Sequence, residues 1–206
     1  FCHCVPDTWH QMGVILSAAS CLSWLSGFVG QPEVELLRER GETLERPSSV
    51  LFLPYLSGER TPHNDADIRA AFVGLSHQTG RKELTQAVME GVAFALRDCL
   101  EALRAAGTNL SAADAIGGGS RSALWLKIIA NVLDLPIHRL ADSEVSGAMG
   151  AALLGRMAAT GESPRSVCRS PQRSATIVPD KNLRDAYADS YAHYKKLYPG
   201  IKEATR

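Results

Sequence analysis

No stretch of this 206-residue sequence runs to eighteen consecutive apolar residues, which argues against a helical membrane span, and no signal-peptide pattern opens it. Neither charge is in excess. Twenty-two basic side chains stand against 22 acidic ones, so no electrostatic footprint points to nucleic acid or to an anionic membrane surface. Cysteine is sparse and odd in number: Cys2, Cys4, Cys21, Cys99 and Cys168 are too scattered for a disulfide framework. They suit reduced thiols, and a cytoplasmic setting is the expectation. The "CHC" of residues 2–4, with His10 nearby, matches no common zinc spacing and reads as alternation along a strand. No internal repeat is present, and low complexity is confined to "SPRSVCRSPQRSA".

What is there suits a globular chain. The length and a hydrophobic fraction of 45% allow one large domain or two small ones around a real core. The opening "FCHCVPDTWHQMGVILS" predicts two strands about a Pro-Asp-Thr turn. Such an abrupt start inside a sheet is expected of a fragment or of one half of a longer chain. "SAASCLSWLSGFVG" predicts a helix stopped at Gly30, and "QPEVELLRERGETLERP" a charged helix ending near Gly41. "VLFLPYL" predicts a buried strand, "SGERTPHNDADIR" a turn-rich loop, and "AAFVGLS" a short strand.

A long amphipathic helix follows, with Leu84, Val88, Val92, Ala95, Cys99 and Leu103 on one face and Gly107 as its stop. "SAADAIGGG" then predicts a short strand and a glycine turn. "SALWLKIIANVLDL" predicts a helix with Leu124, Ile128 and Val132 in register, "PIHRLAD" a strand, and "SEVSGAMGAALLGRMAAT" a close-packing helix. A polar stretch leads to the terminal helix "NLRDAYADSYAHYKKLYPG". Strands alternating with helices predict an α/β fold with parallel strands covered by helices.

The eight residues "AIGGGSRS", Ala115 to Ser122, are the natural place to look for chemistry. Strand, glycine turn and helix together let backbone N–H groups and a helix N-terminus approach a phosphate or a ribose. A plain strand-to-helix turn with Ser120 as its cap has the same pattern, and the spacing alone leaves both open.

Two longer stretches are more specific. In "AAFVGLSHQTGRKELTQAVME", Gly74-Leu75 follow an aromatic; seven residues later come Glu83-Leu84 and then Ala87-Val88-Met89-Glu90. Every position of this stretch resembles the second signature of the FGGY family of carbohydrate kinases. "LFLPYLSGERTPHND", the opening "FCHCVPDTWHQMGVILSAASCLSWL" and "GAMGAALLG" are similar to the bacterial xylulokinases of that family, so the resemblance covers nearly the whole chain.

The resemblance implies an actin-like (ribonuclease H-like) α/β domain with a mixed sheet and flanking helices, incomplete at its N-terminus. Residues 1–206 would be the C-terminal, nucleotide-binding domain of a kinase that phosphorylates D-xylulose with ATP and Mg²⁺. The aspartate base, the threonine-glycine phosphate loop and most of the sugar pocket would lie outside these residues, so the chain alone is expected to be inactive. Gly118 and Gly119 would approach the adenosine with Ser120 beside them. Ala19 matches a small residue near the nucleotide, with simple packing as its alternative. Ala123 takes the position where relatives often carry an asparagine that reaches the nucleotide.

Another sugar or polyol (gluconate, ribulose, glycerol), a non-catalytic actin-like module that binds nucleotide or a partner, and a homodimer stay open. In "SGERTPH", Glu59 and Arg60 are expected to pair and brace the loop, with Thr61, Pro62 and His63 fixing its shape. Trp24, Trp125, Tyr187, Tyr191 and Tyr194 are expected to pack rather than to touch a ligand.

Overall fold

The computed structural model describes residues 1–141 and 146–205. Its organising element is α3 (Arg81–Ala105), preceded by α1 (Ser20–Val29), α2 (Glu33–Arg40), β1 (Leu51–Leu53) and β2 (Ala71–Val73). The expected apolar face of α3 understates its burial. Every residue from Thr85 to Ala95 is buried, because α1, α2, β1 and two later helices, α4 (Ala123–Leu133) and α7 (Arg184–Tyr194), pack around it. The closest approach is at Gly91, where a Cβ would lie 2.3 Å from the Phe52 carbonyl oxygen of β1. Only glycine lets the helix sit this tightly on the strand.

Burial all round brings polar groups inside. Glu90 accepts from the backbone N–H of Ser48 at 3.0 Å and from Gln86 Nε2 at 2.8 Å. Desolvation lifts its carboxyl to about 7. Tyr187, Tyr191 and Tyr194 are buried as expected, and Tyr191 donates to the buried Asp98 at 2.6 Å.

β3 (Ala113–Ala115), α4 (Ala123–Leu133) and β4 (Ile137–Leu140) follow, and β3 pairs with β4 in parallel with Ala113 opposite Ile137. α4 buries Leu124, Ile128 and Val132 in register against α3. Leu126, Ala130 and Leu133 pack with Ile137 in a second cluster against the sheet. Beyond α5 (Ser146–Thr160) and the short α6 (Pro164–Val167), β5 (Arg173–Ile177) pairs antiparallel with β4, giving a mixed sheet in the order β3-β4-β5. β1 and β2 form a separate antiparallel pair. The chain closes with α7 (Arg184–Tyr194) and α8 (Leu197–Ala204).

Three expectations need correction. The opening hairpin contracts to a single bridge, Cys2 with Trp9; residues 11–15 form no ladder among the described residues. Two strands with little to pack against do not build a sheet. The polar stretch after α5 holds a helix and β5, whose residues are exposed except for the half-buried Ile177. The terminal helix divides at Lys195–Lys196, and Pro199 falls in the first turn of α8, where its missing N–H costs little. Of the helix expected over 143–160, residues 143–145 lie outside the described residues.

Candidate nucleotide site

The three glycines differ in what holds them. Gly117 leaves β3 at φ +84°, a left-handed conformation that side chains resist, and a methyl there would meet nothing within 4 Å. Gly118 and Gly119 open a 3₁₀ turn over Gly118–Arg121 without positive φ. A methyl on Gly118 would stand in open space. One on Gly119 would rest in ordinary contact with Trp125 Cζ3 at 3.6 Å and with Ala19 Cβ at 3.9 Å. The backbone therefore needs glycine at 117 only.

The turn is fastened from within. Ser120 is 3% exposed, and its hydroxyl donates to the Gly117 carbonyl at 2.7 Å. The cap of α4 is Ser122 and not Ser120: Ser122 Oγ accepts from the Trp125 backbone N–H at 3.2 Å. Trp125 is buried beneath Gly119, and its indole Nε1–H donates to the Met89 carbonyl of α3 at 2.9 Å. Its ring is thus tied to the central helix while its edge faces the glycine turn.

Gly117, Gly118, Gly119, Ser120 and Trp125 line a cavity of about 510 Å³ between the turn, α3, α4 and the start of α1. Ala19 is the N-cap residue of α1; no side chain caps this end and its first turn carries no carboxylate. No acidic side chain of its own first turn offsets the positive end of the helix dipole there. Ala18 and Gly13 join Ala19 in the wall. The cavity is apolar in its depth, where Val92, Leu96, Leu100 and Ile129 face it. Cys99 in the same wall is a neutral thiol, since burial pushes it up to about 12. The carboxylate of Asp114 at the rim is engaged by Arg173 Nε at 2.9 Å.

Of the five residues expected at a nucleotide site, the structure thus brings Ala19, Gly118, Gly119 and Ser120 to one cavity wall. Ala123 stands apart, exposed at the first position of α4 and outside the cavity lining. Sequence reasoning passed over Gly13 and gave Trp125 only a packing role. Gly13 carries a hint in hindsight, as a lone glycine between Met12 and Val14; the place of Trp125 under the turn depends on how α4 docks.

With this geometry the comparison with known proteins is direct. Residues 2–159 match the C-terminal domain of the FGGY family of carbohydrate kinases. The chain belongs to that family. It is 38% identical over 201 residues to the xylulose kinase of Escherichia coli strain K12, covering 96% of this chain and 41% of that one. It is 41% identical over 204 residues to the xylulose kinase of Klebsiella pneumoniae, covering 98% and 42%. A crystal structure from Brucella ovis, described as a "xyloylose kinase", superposes with a TM-score of 0.92 at 55% identity, covering 99% of this chain and 42% of that one. The chain therefore spans about two fifths of the length of the curated relatives it matches. Family membership bears out the expected actin-like, ribonuclease H-like α/β fold.

The other distinctive FGGY stretch, the loop after β1, lies to one side of this cavity wall. Glu59 is buried and braces the loop, but not by pairing with the Arg60 side chain. Its Oε2 accepts from the backbone N–H groups of His63 at 2.7 Å and Asn64 at 3.0 Å, and no Glu59–Arg60 ion pair forms among the described residues. His63 stacks on Tyr198 of α8 at 3.6 Å, and burial there lowers its pKa. Asp65 accepts from Tyr198 and pairs with Lys202 at 2.7 Å. The loop is thereby held to the C-terminal helix. Thr61 also exchanges two hydrogen bonds with Val14, next to the cavity residue Gly13.

Proposed function

We propose that residues 1–206 are the nucleotide-binding C-terminal domain of an ATP-dependent sugar kinase, whose whole enzyme transfers the γ-phosphoryl group of ATP to D-xylulose, giving D-xylulose 5-phosphate and ADP. One observation carries the nucleotide reading. Gly118 and Gly119 lack side chains where neither backbone conformation nor neighbouring atoms require it, beside a cavity of nucleoside size. The space that a side chain would take is left for a ligand. In this reading the adenosine lies against Gly118, Gly119 and Ser120, and the uncapped start of α1 at Ala19 favours the anionic oxygens. Ala123, exposed and outside the cavity lining, is given no ligand contact in this reading.

The described residues hold no group of three or more His, Cys, Asp or Glu that could hold a metal ion. Mg²⁺ is accordingly proposed as a companion of the nucleotide phosphates, and no residue of this chain is assigned to it. The choice of D-xylulose is supported by the relatives named xylulose kinase, which share 38–41% of their aligned residues with this chain. The five free thiols suit a cytoplasmic enzyme.

Isothermal titration of the 206-residue chain with ADP tests the site; saturable binding is expected, and no binding at millimolar ADP would remove the nucleotide reading. The substrate is tested separately, by coupled ADP release from the gene product that contains these residues. D-xylulose is expected to give a higher kcat/KM than gluconate, ribulose or glycerol, and another order would reassign the sugar.

A further inference from the structure

The segment that brings Gly13 to the cavity has little of its own to hold it. Residues 11–15 belong to no helix or strand, and among the described residues their backbone makes hydrogen bonds with Thr61 alone. Thr61 Oγ1 accepts from the Val14 N–H at 3.1 Å, and the Thr61 N–H donates to the Val14 carbonyl at 3.2 Å. On its other side the segment lies directly on α3. A Cβ at Gly13 would stand 2.6 Å from Cys99 Cβ, so the bare backbone touches the helix. The Cys99 thiol donates in turn to the Thr61 carbonyl at 3.8 Å. Gly13, Thr61 and Cys99 are thus one junction between segment 11–15, the loop after β1 and α3.

Gly13 is also a partition. It lines the glycine-turn cavity on one side and a second hollow of about 280 Å³ on the other, and Thr61 lines the second hollow only. A partition with space on both faces keeps its place only as well as its tether does. The tether is anchored in turn. Glu59 and Asp65 exchange backbone hydrogen bonds at 2.8 and 2.9 Å across the loop that carries Thr61, and Lys202 of α8 pairs with Asp65 at 2.7 Å.

We infer that Thr61 is a positioning residue for the nucleotide site: its hydroxyl fixes Val14 and so sets Gly13 in the cavity wall before the ligand arrives. The inference rests on the nucleotide reading above. Thr61 stands outside the lining of that cavity and acts through its neighbours. A wall ordered in advance need not be ordered by the ligand, and affinity rises accordingly.

Thr61→Val keeps the shape of the side chain and the Thr61 N–H bond but leaves the Val14 N–H without its acceptor. Isothermal titration of the 206-residue chain with ADP is expected to show affinity reduced roughly 3- to 10-fold, and Thr61→Ser, which keeps the hydroxyl, to return it to within about twofold of the parent. Thiol labelling supplies a readout that needs no nucleotide. Cys99 is 6% exposed and Cys21 0%, and Cys21 makes its own contacts elsewhere, with the Ser17 and Pro54 carbonyls. Alkylation of the folded chain, read by peptide mass spectrometry, is expected to run several-fold faster at Cys99 in Thr61→Val and unchanged at Cys21, because only local opening is eased. Should Thr61→Val be misfolded by circular dichroism, Thr61→Ala carries the same expectations. An unchanged rate at Cys99, or an equal rise at both cysteines, would overturn the inference. So would a variant that binds ADP as well as a parent that binds it, or a Thr61→Ser chain that binds no better than Thr61→Val. A parent that binds no ADP would overturn the nucleotide reading itself, and this inference with it.

Discussion

Replacing Gly119 by alanine separates the needs of the fold from those of a ligand. Without nucleotide the new methyl would lie 3.6 and 3.7 Å from the Trp125 ring and 3.9 Å from Ala19, all ordinary contacts, and the backbone there is not left-handed. Stability should move by less than about 1 kcal/mol, with a small gain from the stiffer unfolded chain as the expected direction. That corresponds to a melting shift within roughly 4 °C for a chain of this size. With nucleotide the same methyl occupies contact space, and overpacking of one methyl costs about 1–3 kcal/mol. ADP affinity should therefore fall by roughly 5- to 150-fold.

Gly119→Val adds two more methyl groups at the same point and should abolish measurable binding. Gly117→Ala tests the backbone instead: its φ of +84° should cost about 1–2 kcal/mol of stability, although its methyl would meet no protein atom within 4 Å. Calorimetric titration with ADP and thermal melts by circular dichroism read the two quantities independently. A folded Gly119→Ala chain that binds ADP within twofold of the parent would show that the turn serves only the fold.

Two further substitutions probe the core. Gly91→Ala gains about 1 kcal/mol of helix propensity but drives a methyl to 2.3 Å from the Phe52 carbonyl; a net loss of roughly 1–3 kcal/mol is expected in chemical denaturation, and an unchanged midpoint would mean β1 yields freely. Glu90, lifted from 4.5 to about 7 by burial, takes up its proton on folding. Its share of stability is complete below about pH 4.5 and is lost as pH rises through about 7, on the order of 3 kcal/mol in all. Glu90→Gln should flatten the fall in melting temperature between pH 5 and 8; an equally steep slope in the variant would place the effect elsewhere.

The elements legible in the sequence are those whose signal is local or repeats along one buried face. The stop at Gly30, the register of Leu124, Ile128 and Val132, and a glycine turn between a strand and the Trp125 helix all stand in the structure as read. β5 was invisible because four of its five residues face water, so nothing in "RSATI" alternates. It exists through its ladder with β4, a contact 30 residues and more away. The hairpin at residues 1–17 failed for the opposite reason: alternation was there, but no packed face rewarded it.

At the site, small residues at 19, 118 and 119 were readable, whereas their meeting depended on α1 and the turn converging on Trp125. Glu59 shows the same limit. Its neighbour in sequence was the obvious partner, and the fold turned the carboxylate toward the backbone of His63 and Asn64 instead.

The lock on Trp125 also gives the molecule an optical property. Of the three tryptophans, Trp9 is 73% exposed and Trp24 37%, while Trp125 is 4% exposed with its Nε1–H held by Met89. Emission from Trp125 should lie to the blue and resist quenching by iodide, standing apart from that of the other two. Because the same ring underlies Gly119, a base settling on the turn would alter the light of the one indole that solvent does not reach. The chain thus carries an intrinsic, label-free gauge of occupancy at its own glycine turn.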